Sequence, residues 1–253
     1  MKISNSFFIA LALLLTVITS CKKDHPDSTQ TLYGAAVALG GDSVRSFVTL
    51  NVNGLPQSLG IELGENALNG LPADTMPGMP DYTYKLSLPQ YANPAGVDHI
   101  EADWNPFGHE PRAVYGVPHF DFHFYYVTKE EQASVVPGPD AVPVPAQFVP
   151  KDYFSPVPVA IPDMGVHWFD STATEFHGKP FTATVIYGFY HGNMTFLEPM
   201  VSKAFLQTHP DFSASVKQPQ AFQKNNYYPT NYQVKFDLTK HVYRVTLLNL
   251  VKH

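Results

Sequence analysis

One cysteine, Cys21, is all that 253 residues contain, so no disulfide can close within the chain. Charged side chains are scarce at 15%, and the net charge is -6. A nucleic-acid backbone needs a basic surface, which argues against that class of partner. The chain lacks a Gly-rich phosphate loop, a Cys pair, an HExxH pair and a Gly-x-Ser-x-Gly elbow. A nucleotide cofactor and serine-hydrolase chemistry therefore lose support. Helical periodicity is also sparse. Its best stretch is Pro199–Thr208, where Met200, Ala204 and Phe205 share a stripe, and Asp211–Phe222 is a weaker second.

Aromatics at 13% and an abundance of proline go with the low charge, a composition that favours a β-rich fold over a disordered chain. Strand signals recur at Leu32–Leu39, Ser46–Val52, Tyr82–Leu88, Val97–Trp104, Tyr232–Leu238 and Val242–Val251. Asn53-Gly54 reads as a turn, and Ile61–Gly70 is ambiguous. Val117–Val127 is expected to be the longest strand. Phe181–Tyr190 and Met194–Met200 read as a hairpin around His191-Gly192. Residues 135–162 carry so many prolines that they cannot form a central strand. They are expected to be a long loop packed over one all-β domain, a mostly antiparallel barrel or sandwich with one or two short helices, spanning 31–253.

At the N-terminus, Lys2 precedes an apolar run from Phe7 to Ile18. That run is about 12 residues, short of the roughly 20 that span a bilayer, and it has the form of a secretory signal. Ile18-Thr19-Ser20-Cys21 follows and resembles the lipobox of bacterial lipoproteins, which implies lipidation of Cys21. The alternative is an ordinary cleaved signal with an incidental cysteine. Residues 1–21 are thus read as a signal peptide and 22–30 as a polar tether. The expected address is the bacterial envelope, periplasmic or outer-membrane face, with the membrane reached through the lipid.

The segment from Pro118 to Tyr126 carries the clearest chemistry. A strand alternates faces. Phe120, Phe122, Phe124 and Tyr126 share one face, and His119, Asp121 and His123 share the other. Residues two apart lie about 6.7 Å from each other along a strand, and residues four apart about 13 Å, so His119 and His123 cannot ligate one ion from a regular strand. Asp121 pairs with one of them at a divalent ion such as zinc, or it fixes a histidine tautomer. His167 and Glu198 are the best further ligands. A carboxylate in so apolar a strand is costly unless paired, with Arg112 or a histidine as its structural partner. His109, Glu110, Trp168 and Tyr125 are candidates for supporting positions. The plainer readings are a hydrogen-bonded strand face for the triplet, a core histidine for His167 and a loop cap for His109-Glu110.

Trp104-Asn105-Pro106 with Gly108-His109-Glu110-Pro111, the 118–125 segment, Gly165-Val166-His167-Trp168, Ile186-Tyr187-Gly188 and Phe196-Leu197-Glu198-Pro199-Met200 stand in order. Together they resemble a bacterial domain family of unknown function, typified by a Thermus protein under extracytoplasmic sigma-factor control. The resemblance covers roughly 31–205. It implies a β-rich domain capable of self-association and implies no activity. Lys22-Lys23-Asp24 after the cysteine is similar to Bacteroidota lipoproteins. Two functions stand side by side. One is a non-enzymatic module that binds a small molecule or forms a homo-oligomer, with Trp104, Phe107, Trp168, Tyr227 and Tyr228 as contact surface. The other is a metal-dependent hydrolase or isomerase.

Overall fold

The computed structural model describes residues 29–73, 82–89, 95–156 and 158–253. The expected signal, Cys21 and residues 22–28 of the tether lie outside the described residues. In chain order the strands are β1 (Gln30–Tyr33), β2 (Val37–Leu39), β3 (Asp42–Leu50), β4 (Pro56–Gly64), β5 (Tyr82–Leu86) and β6 (His99–Asn105). Then come β7 (His119–Tyr125), β8 (Gly138–Pro139), β9 (Tyr153–Phe154), β10 (Val159–Ala160) and β11 (Val166–Asp170). The last five are β12 (Ala183–Tyr190), β13 (Asn193–Ser202), β14 (Asp211–Ser215), β15 (Tyr227–Asp237) and β16 (Val242–Lys252). The short helices are α1 (Arg112–Tyr115), α2 (Lys129–Ala133) and α3 (Lys203–Leu206). Among the described residues no helix is long and apolar enough to cross a membrane.

Two antiparallel sheets form a sandwich and do not close into a barrel. The first runs β1-β3-β4-β16-β15-β14, with β2 on β3, and the second runs β5-β6-β7-β13-β12-β11-β9. Their facing sides share one apolar core. Phe120, Phe122 and Phe124 of β7 are fully buried there with Val48, Leu59, Ile61, Val245 and Leu247 of the first sheet. This is the face that the alternation along β7 assigns to the core. On the outside of the first sheet, Glu62 is pinned between Arg45 and Arg244, which both donate to its carboxylate.

Several expectations shift at their edges. β15 and β16, of 11 residues each, are the longest strands, whereas β7 has 7. The stretch Pro199–Thr208 is strand as far as Ser202 and helix only over Lys203–Leu206, where the Ser202 side chain caps the turn by accepting from the Phe205 N–H. The weaker helix, Asp211–Phe222, is corrected outright: Asp211–Ser215 is β14, paired with β15. Its alternating Phe212 and Ala214 pack on the core, so tertiary pairing overrides the weak helical pattern. The Pro-rich segment holds only two-residue strands, with β8 paired to β10 and β9 on the edge of the second sheet.

The outer face of the second sheet positions the site. α1, α2, Phe181 and the turn at Thr174–His177 fold over it. Two apolar clusters fill the space: Tyr115, Phe169, Phe181, Ile186 and Met200 in one, and Tyr125, Val127 and Phe196 in the other. A layer of polar side chains is thereby buried between the sheet and its cover.

Candidate metal centre on the outer face of the second sheet

Antiparallel register assembles this polar layer. β6 presents Glu101, Asp103 and Asn105 opposite His123, Asp121 and His119 of β7. β13 lies on the other side of β7, with Met200 opposite Asp121 and Ser202 opposite His119. Its ladder to β7 passes from Leu197 and Phe124 to Met200 and Asp121 across Glu198-Pro199, where Pro199 has no N–H to give. Glu198 therefore sits at a break in a central strand. β11 brings His167 opposite Gly188 of β12.

The side chains gather as two adjacent groups, each of two histidines and a carboxylate. His109, His119 and Asp121 form the first, and His123, His167 and Glu198 form the second. In each, one donor atom from every residue lies within 4.8 Å of the others, close enough to hold a metal ion. In the first, His109 Nε2 is 3.1 Å from Asp121 Oδ2 and His119 Nε2 is 3.2 Å from Oδ1. In the second, His123 Nε2 and His167 Nε2 approach the same oxygen, Glu198 Oε2, at 3.3 and 3.7 Å. Donors around a tetrahedral ion with 2.0–2.1 Å bonds stand about 3.4 Å apart, so these spacings suit a shared ion.

Ring orientation points the same way. Each histidine directs Nε2 inward, and the two of the first group are held from behind. His109 Nδ1 donates to the Glu110 carbonyl at 2.7 Å, and His119 Nδ1 donates to the Val117 carbonyl at 2.6 Å. A nitrogen held in this way fixes the tautomer and leaves the other lone pair free for an ion. His123 Nδ1 lies 3.1 Å from Asp103 Oδ2 without hydrogen-bonding geometry. Asn105 Nδ2 donates to Asp121 Oδ2 at 2.6 Å and holds that carboxylate in turn.

His119 Nε2 and Asp121 Oδ1 in the first group, and His123 Nε2 and Glu198 Oε2 in the second, are buried without a hydrogen-bond partner, as are His123 Nδ1 and both carboxylate oxygens of Asp103. Unsatisfied buried polar atoms are costly, and within each group an ion shared by the inward-facing atoms would satisfy them. The electrostatics reflect this crowding. Burial opposes charge on His109, but the Asp121 carboxylate beside it pushes the imidazole up to about 9. Burial raises the Asp121 carboxyl, yet His119 and His109 hold it well below the usual carboxylate range. Burial likewise works against His123, and Glu198 overrides it and lifts the ring well above its ordinary value. Glu198 is itself raised, by burial. Burial and the nearby His123 and His109 push His167 down to about 3, which leaves it neutral and a good ligand.

The five expected ligands are thus divided between two groups, with His119 and Asp121 in one and His123, His167 and Glu198 in the other. His109, expected in support, is a donor of the first. Tyr125 is fully buried and stacks beside His123 at 5.6 Å. Glu110 contributes only its backbone carbonyl. Its carboxylate is 82% exposed and paired with Arg112, so Arg112 is not the partner of Glu198. Trp168 points away from His167, toward Phe189 and the main core. Of the residues expected as an aromatic contact surface, Trp104 and Tyr228 are each 3% exposed, Trp168 and Tyr227 are half-buried and Phe107 is 39% exposed. Asp103 and Asn105 are the residues that sequence reasoning missed. The signal was there in the alternation Glu101, Asp103, Asn105 on a strand whose other positions, Ile100, Ala102 and Trp104, are core.

Gly188 makes room for the second group. A Cβ there would fall within the Phe196 ring, and that ring packs edge-on to His123 at 4.7 Å and against His167 at 5.2 Å. Gly188→Ala is expected to cost about 1–3 kcal/mol by overpacking and to loosen metal at this group alone. Denaturant unfolding and metal titration of the variant check the two parts separately.

No family profile, curated protein or solved structure significantly matches the chain.

Proposed function

We propose that this protein is a divalent-metal-binding module of the bacterial envelope, tethered by lipid on Cys21, with one zinc-like ion held by each histidine–carboxylate group. The convergence of four histidine nitrogens on two carboxylates carries the metal reading. The Cys21 motif after a short apolar run carries the address. Zinc is favoured over magnesium or calcium because imidazole nitrogens outnumber the oxygens in each group. A second reading, a metal-dependent hydrolase or isomerase, draws on one observation. Three protein ligands are the set found in catalytic rather than structural zinc sites, because they leave a coordination position open.

Asp103 gives the sharpest test of how the second group is held. It is 1% exposed and backs His123 from the nitrogen opposite the ion. Removing such a carboxylate typically lowers metal affinity by about 10–100-fold. Asp103→Asn is expected to show that loss at one ion and leave the other unchanged in a competitive chelator titration. Equal weakening of both ions, or of neither, would contradict the assignment of His123 to its own group.

A further inference from the structure

Charge is unevenly spread along the strands of the first sheet. Residues 29–65 and 211–253 supply that sheet, and their side-chain carboxylates are Asp42, Glu62, Glu65, Asp211 and Asp237. Register places all of them in the half that ends at Gly64 and Asp237. The opposite half ends at the turn at 51–55, Tyr227 and Lys252, and these residues give it no carboxylate. β1 starts at that end, where Gln30 pairs with Leu50, nine positions after Cys21. Nine residues reach at most roughly 30 Å, so a lipid on Cys21 keeps this end within that distance of the bilayer. The adjoining turn presents Val52 at 59% and Leu55 at 48% exposure. It is a closed turn: Asn51 Oδ1 accepts from the Asn53 and Leu55 N–H groups, and the Gly54 N–H donates to the Asn51 carbonyl. Val251, also exposed, lies at the same end with Lys252. Asp98, Glu130 and Glu131 reach this end of the sandwich only from the second sheet's side, where Lys224 stands 4.0 Å from Glu131. Scattered exposed aliphatics are ordinary, but these coincide with the entry of the tether and with the half of the sheet that lacks carboxylates.

We infer that the turn at 51–55 and the adjoining ends of β1 and β16 form the face that rests on a phospholipid surface, with Val52 and Leu55 entering the headgroup region. This rests on the lipid anchor proposed above and extends it to an orientation of the domain. Two aliphatic side chains are too few to recruit a free domain to a bilayer. An anchored domain meets the surface at high effective concentration, so a weak contact suffices to orient it. The half without carboxylates also escapes the repulsion that the other half meets at anionic lipid. In this pose the first metal group faces away from the membrane. His119 pairs with Asn105 at one end of β7, whereas the other end of β7 leads to Tyr126, whose hydroxyl donates to the Tyr227 carbonyl.

The test uses the lipidated chain with one introduced thiol, Val52→Cys or Leu238→Cys, labelled with the fluorophore NBD. Each is reconstituted in vesicles of phosphatidylethanolamine and phosphatidylglycerol. Leu238 is the control, because it is 75% exposed and lies at the opposite end of the same sheet. Lipid carrying a headgroup nitroxide is expected to quench about half of the signal at 52, as for a side chain in the headgroup region, and to leave 238 unchanged. Adding Leu55→Asp, at a position already exposed, should abolish the quenching at 52 while the chain still floats with the vesicles. Quenching at both positions, or at neither in a chain that floats, would overturn the orientation and leave the anchor standing. A blue-shifted label at 52 that the nitroxide lipid does not quench would put a second copy of the chain on this face and overturn the proposal. A chain that does not float with the vesicles would remove the lipid anchor and this inference together.

Discussion

Removing divalent metal with a chelator is expected to lower the melting temperature by about 10–20 °C. An ion that binds only the folded chain stabilises it by about 2.7 kcal/mol when its free concentration is 100 times Kd. Two such ions contribute about 5 kcal/mol, and in a domain of this size each kcal/mol moves the midpoint by roughly 2–4 °C. The structural reason is the strand layout. Ligands come from β7, β11 and β13 and from the loop before α1, so an ion ties the centre of the second sheet to its edge and to its cover. Without metal, the histidines and carboxylates must satisfy one another through contacts of 3.1–3.7 Å that leave inward-facing atoms unpaired. Scanning calorimetry with and without chelator, followed by zinc add-back, measures the effect. A midpoint unmoved by either treatment would contradict it.

Phe122→Ala is expected to be the most damaging change on the other face of the same strand, at about 3–5 kcal/mol. Phe122 is fully buried in the core shared by both sheets and stacks on Phe120 at 5.6 Å. Its neighbours are fixed by two ladders, so the space it leaves cannot readily collapse. Because Phe122 faces away from the metal groups, the folded variant should bind the same amount of metal as the parent. Asp121→Asn should do the reverse, losing metal at the first group with a much smaller effect on chelated-protein stability. If Phe122→Ala lost metal while still folded, the two faces of β7 would not be separable as described.

The legibility of this fold follows the reach of each signal along the chain. Period-two alternation is local, and it correctly divides Phe120, Phe122 and Phe124 from His119, Asp121 and His123. Strand rise is local too, and it separates His119 from His123 between two groups as spacing requires. Cross-strand register is not local. Nothing in the sequence says that His109, twelve positions before Asp121, folds back onto it, or that Asp103 reaches diagonally to His123 instead of facing its register partner Asp121. Pro199 argues locally against a central strand, yet β13 accommodates it at the point where Glu198 turns to two histidines. Asp211–Phe222 fails for a related reason, since its pairing with β15 outweighs a faint helical stripe.

Elemental analysis of the domain from residue 31, purified without chelator or metal-affinity tag, tests the central claim most directly, with Asp121→Asn and Glu198→Gln beside it. Two divalent transition-metal ions per parent chain and one in each folded variant is the expected result. No metal in the parent even after reconstitution, or full metal in both variants, would contradict it.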